Sequence, residues 1–409
     1  MIRVATKSLR RTAAAVASRT FLSSLPSSSS FSLISSRNLT QSSQVNTVTV
    51  EMINYALSLA RSHKSDGLDS QAMLVLEQCL SAQSTPQAKG LVHLAMSTVL
   101  HERGDVEDAM NKLQTIQDST DYALGVRVAA LEGLVGLHLE KGQDDTSAVL
   151  ADKWLQLFEE KGPLLALEDG FEVFQARVKA LKGLIEVISG NLESAGSSFQ
   201  GIQDSIGSSG SAGLSCGEYM HATQNFSSAK EFYEKLVQGQ PMTTNSGEPL
   251  VLATCNMAPE MVFLAATCAL GQLEMHLGNF DVAEELLTKA LSKTEEHFGS
   301  NHQKVGVILL CIALMFRHKA SLEHSSSLLI QEGLYRRAID LLKAPPLETE
   351  GLEAHIQSSD IVVLARGERM KNWAEATWRN PRLSLAEALD FSKTGSKVPV
   401  VDLRISRVL

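Results

Sequence analysis

The chain has 409 residues, of which 44% are hydrophobic and 20% are charged, and its formal net charge is −9. This composition excludes a chain that is disordered throughout, and no run of about 18 apolar residues marks a membrane span. The excess of acidic residues argues against general binding to the phosphate backbone of nucleic acids. A chain of this length forms either two or three ordinary domains or one continuous repeat array.

The first 50 residues contain no acidic residue, and the first carboxylate belongs to Glu51. Basic residues are spaced through this Ser- and Thr-rich stretch, at Arg3, Lys7, Arg10, Arg11, Arg19 and Arg37. Such a composition is typical of organellar transit peptides, and the basic amphipathic helix expected over Met1–Leu22 favours mitochondria over the chloroplast. Arginine-led processing patterns occur at Arg19-Thr20-Phe21 and at Arg37-Asn38-Leu39.

We therefore predict a cleavable mitochondrial transit peptide over residues 1–40 and a linker over residues 41–50. The mature protein is expected in the matrix or associated with the inner membrane. Two alternatives remain open, a chloroplast location and a basic tail that stays attached. Cleavage would leave 31 basic against 46 acidic residues, a formal charge of −15.

After residue 50 the sequence is a succession of helical patterns separated by short turns that contain Gly or Pro. One order of residues recurs: a small residue, a turn residue seven positions later, an alanine five positions further on, and a bulky residue four positions after that. The five clear copies are Ala60, Gly67, Ala72, Leu76; Ser97, Gly104, Ala109, Leu113; Gly183, Gly190, Ala195, Phe199; Gly217, Gln224, Ala229, Tyr233; and Gly271, Gly278, Ala283, Leu287.

Each position in this order has a physical role in a helix-turn-helix unit. The small residue and the alanine let two antiparallel helices approach closely, and the glycine ends the first helix in a left-handed conformation. The bulky residue is expected to fill the seam with the next unit.

This pattern resembles the tetratricopeptide repeat family, whose period is about 34 residues. The best copy is Gly210–Thr243, and the family positions are filled there by Gly217, Met220, Ala229, Tyr233, Leu236 and Pro241. The resemblance implies an all-α, right-handed α-solenoid of antiparallel helix pairs, with about seven repeats over residues 51–347. The alternative is an irregular helical bundle in which the glycine turns fall by chance.

The spacing of the repeats is uneven. The marker alanines are Ala72, Ala109, Ala148, Ala195, Ala229, Ala283 and Ala338, separated by 37, 39, 47, 34, 54 and 55 residues. The excess over one period predicts longer helices or insertions, notably at Pro241–Val262 and Lys319–Ile330. The repeat near Val128–Lys161 is degenerate, with Gly142 and Ala148 as its only clear markers.

Residues 348–409 do not keep the repeat pattern. Ser359 is expected to cap a helix that runs to about Trp378, and Leu383–Phe391 is expected to form a shorter one. Capping helices at this end would cover the apolar side of the last repeat, with Trp373 and Trp378 as contacts in that cap.

No pattern in the chain predicts catalytic, cofactor-binding or metal-binding residues. Ser215 lies in Gly213-Leu214-Ser215-Cys216-Gly217, which matches G-x-S-x-G, but that motif works only on a strained turn between a strand and a helix. The closest histidine pairs, His297 with His302 and His318 with His324, lack the H-E-x-x-H arrangement of a zinc site. We interpret them as surface or hydrogen-bonded core histidines.

The cysteines also lack a metal-ligand spacing, since no C-x-x-C pair occurs among Cys79, Cys216, Cys255, Cys268 and Cys311. We expect buried, apolar side chains at these positions rather than disulfides. Some tetratricopeptide proteins hold a chaperone tail in a clamp of Lys, Asn and Arg. The corresponding positions here include Leu57, Arg61 and Ala95, so that most of the clamp is absent.

The sequence therefore predicts a non-catalytic scaffold or adaptor that aids the assembly or stability of an organellar complex, with a protein partner in the concave groove of the array. The first alternative is an organellar RNA-binding repeat factor, against which the acidic balance counts. The second is an enzyme within the helical array, which would show a cluster of perturbed titratable groups in one pocket.

Overall fold

A computed structural model describes residues 47–61, 68–165, 170–202, 210–239, 252–324 and 327–342. Within these ranges the protein is helical, with fourteen α-helices, one short 3₁₀ turn and no strand. The prediction of an all-α protein is confirmed for this part of the chain. The transit peptide predicted at 1–40 and the capping helices predicted within 348–409 lie outside the described residues.

The helices are α1 Thr47–Ala60, α2 Leu68–Ala82, α3 Pro86–Arg103, α4 Val106–Gln117, α5 Leu124–Glu140, α6 Asp144–Leu165, α7 Phe171–Ile188, α8 Leu192–Phe199, α9 Gly210–Ala222, α10 Phe226–Gln238, α11 Pro259–His276, α12 Phe280–Phe298, α13 Gln303–Glu323 and α14 Leu328–Leu341. The 3₁₀ turn is Cys255–Met257. Helix α1 thus begins inside the segment 41–50 that was expected to be a linker.

The helices pack in seven adjacent pairs, from α1 with α2 to α13 with α14. We call the odd-numbered members the first helices and the even-numbered members the second helices. Each second helix packs against the first helix of the next pair, and successive first helices also pack on one another. The result is a two-layer helical array in which the layer of first helices is the more tightly connected.

Every marker alanine lies in a second helix, one in each pair. Six of them are fully or almost fully buried, namely Ala72, Ala109, Ala195, Ala229, Ala283 and Ala338. The exception is Ala148 in α6, which is half-buried. In that pair Ser147 is fully buried instead, and Ser147 lies five residues after Gly142, the spacing of the clear copies. The marker assigned to Ala148 was therefore wrong by one residue.

The turn residues within the described ranges adopt the left-handed conformation that the pattern predicts, and Gly67 lies outside those ranges. The glycines have φ values of 90° at Gly104, 69° at Gly142, 83° at Gly190 and 81° at Gly278. Gln224 has φ 63° at the same position, although a side chain disfavours this region of backbone space. The turn geometry of the array is therefore kept even where glycine is missing.

In three copies the bulky residue packs over the small residue of its own pair, whereas Leu113 meets Gly133 of the next pair. A Cβ atom added to Gly217 would lie 2.6 Å from the Tyr233 ring, and one added to Gly183 would lie 2.7 Å from the Phe199 ring. The sequence interpretation placed these bulky residues in the seam with the next unit. Phe199 does reach that seam, since its ring centroid lies 5.1 Å from that of Tyr219, but its contact with Gly183 sets the distance within the pair.

The two regions in which the marker spacing exceeds one repeat period differ in structure. Helix α10 ends at Gln238 and α11 begins at Pro259, so an insertion does separate the fifth and sixth pairs. The region 319–330 is mostly helical, because α13 continues to Glu323 and α14 begins at Leu328. The additional residues at 319–330 therefore lengthen a helix rather than form a loop.

The glycine contact within each pair predicts the effect of substitution. Gly217→Ala is expected to lower the free energy of unfolding by about 1–3 kcal/mol, because the new methyl group overlaps Tyr233. Gly333→Ala in α14 is the matched control, since an added Cβ meets nothing within 4 Å there, and it should raise stability by up to about 1 kcal/mol. Urea unfolding followed by circular dichroism measures both. Equal effects of the two substitutions would contradict this packing.

Candidate functional site

The end of the insertion crosses the first-helix side of the array. Residues 252–258, which we call the inner segment, contact α3, α5, α7 and α11. All of them except Ala253 are buried. The predicted groove is therefore not open along its whole length, because the chain's own backbone occupies the part beside α3, α5 and α7.

Two glycines on α5 make room for the inner segment. A Cβ atom at Gly133 would lie 2.6 Å from the Thr254 methyl group, and one at Gly136 would overlap the Asn256 amide. Because the two glycines are three residues apart, they lie on the same face of α5. They form a shallow channel into which the inner segment fits.

Hydroxyl groups of α3 hold the inner segment by hydrogen bonds. The Thr254 hydroxyl donates to the Leu94 carbonyl at 2.9 Å and lies 2.7 Å from the Ser97 hydroxyl. The Cys255 amide donates to the Thr98 hydroxyl at 3.2 Å. Ser97 therefore has a second role, since it is also the small residue of the second pair.

A buried ion pair anchors the beginning of the inner segment. Arg177 of α7 binds Glu132 of α5 through two parallel hydrogen bonds, Nε to Oε1 at 3.0 Å and Nη2 to Oε2 at 2.5 Å. Nη2 also donates to the Leu252 carbonyl at 2.6 Å. Both side chains are almost fully buried, at 3% and 2% exposure. This pair joins the third and fourth helix pairs to the inner segment.

Ser215 lies near this ion pair but has no nucleophile-elbow geometry. It is in the middle of α9, and its hydroxyl donates to the Ser211 carbonyl at 3.0 Å. A crevice lined by Ser215, Glu132, Arg177 and Met257 encloses about 160 Å³, open solvent included. Small-molecule sites typically enclose about 300–1,000 Å³.

A cluster of charged residues connects the two ends of the array, and we call it the closing cluster. Arg61, just after α1, binds Glu102 at the end of α3 at 2.9 Å and Glu260 at the start of α11 at 3.2 Å. His297 at the end of α12 contacts the same Glu102 carboxylate at 3.2 Å. The first and second pairs are thus joined to the sixth, so the array closes on itself on the first-helix side.

The second half of the closing cluster surrounds Lys304 near the start of α13. The Lys304 side chain is buried, its ammonium group lies 4.7 Å from the centre of the Phe298 ring, and the sulfur of Met261 is 4.0 Å away. Nearby, His101 binds Glu140 at 3.1 Å. A cation over an aromatic face gains electrostatic stabilisation that partly offsets the cost of its burial.

The pKa values in the closing cluster reflect this burial and pairing. Burial disfavours the Glu102 carboxylate, yet hydrogen bonding from His297 and the charge of Arg61 outweigh it and lower the Glu102 pKa to about 2. Burial and the charge of Lys304 lower the pKa of His302 to about 4. Burial raises the pKa of the Cys255 thiol to about 12.

The closing cluster is a group of perturbed titratable residues, the feature that would mark an enzyme hidden in the array. Its carboxylates are paired, Glu102 with Arg61 and His297, and Glu140 with His101. Structural ion networks perturb pKa values in the same way as active sites do. Pairing at Glu102 and burial at His302 and Cys255 account for these shifts.

The sequence did not predict the closing cluster, because its contacts join residues as far as 199 positions apart. The sequence pattern placed Arg61 only at a position of the chaperone-tail clamp. In the structure its side chain binds carboxylates of the same chain. Among the histidines, His297 pairs with Glu102, and His302 caps α13 by accepting from the Lys304 amide. The Gly133 and Gly136 pair was a readable local signal that the sequence interpretation missed.

The five cysteines are all buried and free. No group of three or more His, Cys, Asp or Glu residues in the described ranges is arranged to hold a metal ion. By length and composition, one helix in the same ranges, α13, could span a membrane. It packs against α11, α12 and α14, and a mostly buried core helix passes the same test.

Comparison with protein-family models, with curated proteins and with solved structures finds no match. The resemblance to the tetratricopeptide repeat family therefore remains a prediction from the spacing of small and bulky residues.

The buried ion pair predicts a large effect of removing one partner. Arg177→Met leaves the Glu132 carboxylate buried without its cation and should lower the free energy of unfolding by about 3–5 kcal/mol. The double variant Arg177→Met/Glu132→Leu should lose less, because no unpaired charge remains. The exposed pair Lys235 and Glu231 gives the control, since Lys235→Met should change stability by less than about 1 kcal/mol. Equal losses in the single and double Arg177 variants would contradict the pairing.

The lowered pKa of His302 predicts a pH dependence. Between pH 6.5 and about 4 the unfolded chain binds a proton at this position that the folded protein does not, so stability falls as pH falls through this window. The loss should be about 1 kcal/mol after allowance for solvent screening.

His302→Asn keeps an acceptor for the start of α13 and should flatten this slope. His324→Asn, which replaces an exposed histidine at the other end of α13, should keep the wild-type slope. Urea titrations at several pH values measure how the free energy of unfolding depends on pH. An unchanged slope in the His302 variant would show that another group is responsible.

Proposed function

We propose that the mature protein is a non-catalytic protein-protein interaction scaffold in mitochondria, where it aids the assembly or stability of a larger complex. The observation that supports this most is the two-layer array of seven helix pairs. Arrays of this kind present long surfaces built from repeated helices, and such surfaces bind other proteins without chemistry of their own. The spaced arginines and missing carboxylates of residues 1–50 support the compartment.

In this proposal the array is a right-handed superhelix of the tetratricopeptide type, and residues 348–409 cover its last pair. The position of α14 supports a cover at this end, since Leu328 and Leu329 are 72% and 83% exposed. In each earlier pair the second helix packs against a following first helix. An additional helix after α14 would continue this arrangement.

The inner segment and the closing cluster limit which surfaces of the array are open to a partner. Residues 252–258 fill the first-helix side beside α3, α5 and α7, and Arg61 is bound to Glu102 and Glu260. A partner peptide in the groove must therefore displace the inner segment. A partner that binds the second helices meets no such competition.

The proposal is tested by proximity labelling in cells that make the full chain with a biotin ligase at its C-terminus. We expect labelling of a small set of matrix or inner-membrane proteins and migration above the monomer on native gels. A ligase carrying only residues 1–50 gives the compartment background, and a chain without residues 1–40 should stay outside mitochondria. Labelling equal to that background, together with monomeric migration, would contradict the scaffold proposal.

A further inference from the structure

Two of the buried cysteines face each other across the contact between the sixth and seventh pairs. Cys268 of α11 and Cys311 of α13 have their sulfur atoms 3.8 Å apart. Both side chains are 1% exposed, and α11 packs directly against α13. The sulfurs of a disulfide bond are about 2.0 Å apart, so these two need to approach by only about 1.8 Å. The two thiols are therefore placed to react with each other.

This pairing is a tertiary feature, because the cysteine nearest to Cys268 in the sequence lies elsewhere in space. The Cys255 sulfur is 3.6 Å from the Ser97 hydroxyl of α3, on the other side of the array's interior from α13. Folding thus brings Cys268 to a thiol 43 positions away rather than to the one 13 positions away.

A buried amide lies beside the two thiols. Gln272, one turn after Cys268 on α11, is 3% exposed, and its Nε2 atom donates to the Cys268 sulfur at 3.6 Å. Its amide oxygen has no hydrogen-bond partner, which is a cost that an apolar side chain would avoid. Hydrogen bonds to a charged acceptor are stronger than those to a neutral one, so the amide is placed to stabilise negative charge on the Cys268 sulfur.

We propose that Cys268 and Cys311 are a redox modification site, at which a small peroxide oxidises the two thiols to a disulfide bond between the sixth and seventh pairs. Gln272 stabilises the charge on Cys268 in the first step. The site does not depend on the proposed scaffold function.

The reaction has two steps. Cys268 loses its proton, and its sulfur attacks one peroxide oxygen, so that the O–O bond breaks and a sulfenic acid forms. The Cys311 sulfur then attacks the Cys268 sulfur and displaces the hydroxyl group, which takes the Cys311 proton and leaves as water. With hydrogen peroxide, the two thiols lose two electrons and two protons in all, and the peroxide becomes two molecules of water.

Burial makes this reaction slow. The hydrogen bond with Cys268 and burial raise the pKa of the Cys311 thiol, and the oxidant reaches the sulfurs when the seventh pair moves away from the sixth. The seventh pair is the last of the described array, and the ends of a structure open more readily than its middle. Once formed, the bond ties α13 to α11 and limits this opening.

The full chain, reduced and then treated with hydrogen peroxide at neutral pH, tests the site. Remaining thiols are blocked with iodoacetamide, and the chain is cut after Lys, Arg and Glu, because Glu260 then separates Cys255 from Cys268. Mass spectrometry without reductant should show peptides joined through Cys268 and Cys311, at least tenfold more abundant than any other joined pair. No joined peptides, or another pair as the main product, would overturn the inference.

The same oxidation in concentrated urea is the matched control. Cys255 and Cys268 enclose the shortest loop between any two cysteines of the chain, so this pair should predominate after unfolding. If the Cys268–Cys311 pair predominated equally in urea, the folded arrangement would not be responsible and the inference would fail.

Single variants test the order of the two steps. In Cys311→Ser the sulfenic acid of Cys268 has no second thiol to react with, so dimedone should label it. Labelling of Cys311 in Cys268→Ser should be at least tenfold lower, and equal labelling would overturn the assigned order. Gln272→Leu in the Cys311→Ser background should slow labelling of Cys268 at least tenfold, and an unchanged rate would overturn the role of Gln272.

Hydrogen exchange measures what the bond does to the array. Amides of α13 around Cys311 should exchange at least tenfold more slowly in the oxidised protein than in the reduced one, whereas those in the middle of α5 should not change. Equal exchange around Cys311 in the two forms would show that the bond does not hold the last two pairs together, which would contradict the proposal.

Discussion

The contact between a small residue on the first helix and a bulky residue on the second helix sets the geometry of the fourth, fifth and sixth pairs. Gly217 under Tyr233 and Gly183 under Phe199 bring the two helix axes close, and the following pair then packs against the same bulky side chains. Because each pair buries its apolar face only against its neighbours, the pairs stack into one continuous array. The tightly packed layer of first helices, and everything that lies against it, depends on this contact.

The array also differs from an open helical solenoid, because polar groups close it. Arg61, Glu102 and His297 connect helices that are far apart in the sequence, and Lys304 is buried beside them against Phe298. Buried charges of this kind contribute little net stability, since their desolvation offsets their attraction. We expect their effect to be on specificity, because an arrangement that buries Glu102 without Arg61 is disfavoured.

Closure changes how the function of the array is understood. The first-helix face beside α3, α5 and α7 holds the chain's own residues 252–258, in which Cys255 is left-handed and the buried Asn256 amide has no hydrogen-bond partner. In the scaffold proposal, a partner segment on this face would compete with residues 252–258. The affinity for such a partner would then be set by the difference between the two binding free energies, not by the contacts of the partner alone.

The sequence by itself determined the helical class, the position of the helix pairs and the turns between the two helices of a pair. These features depend on residues within about one repeat of each other, so the spacing of glycine and alanine predicts them. The sequence pattern placed the marker of the third pair one residue too late, because Ser147 occupies the buried position of the marker alanine there. Only the tertiary structure decided that residues 252–258 fill the groove and that charged residues close it. The contacts responsible join residues that are 157 and 199 positions apart in the sequence. A local pattern of side chains does not predict which distant groups meet when the array folds.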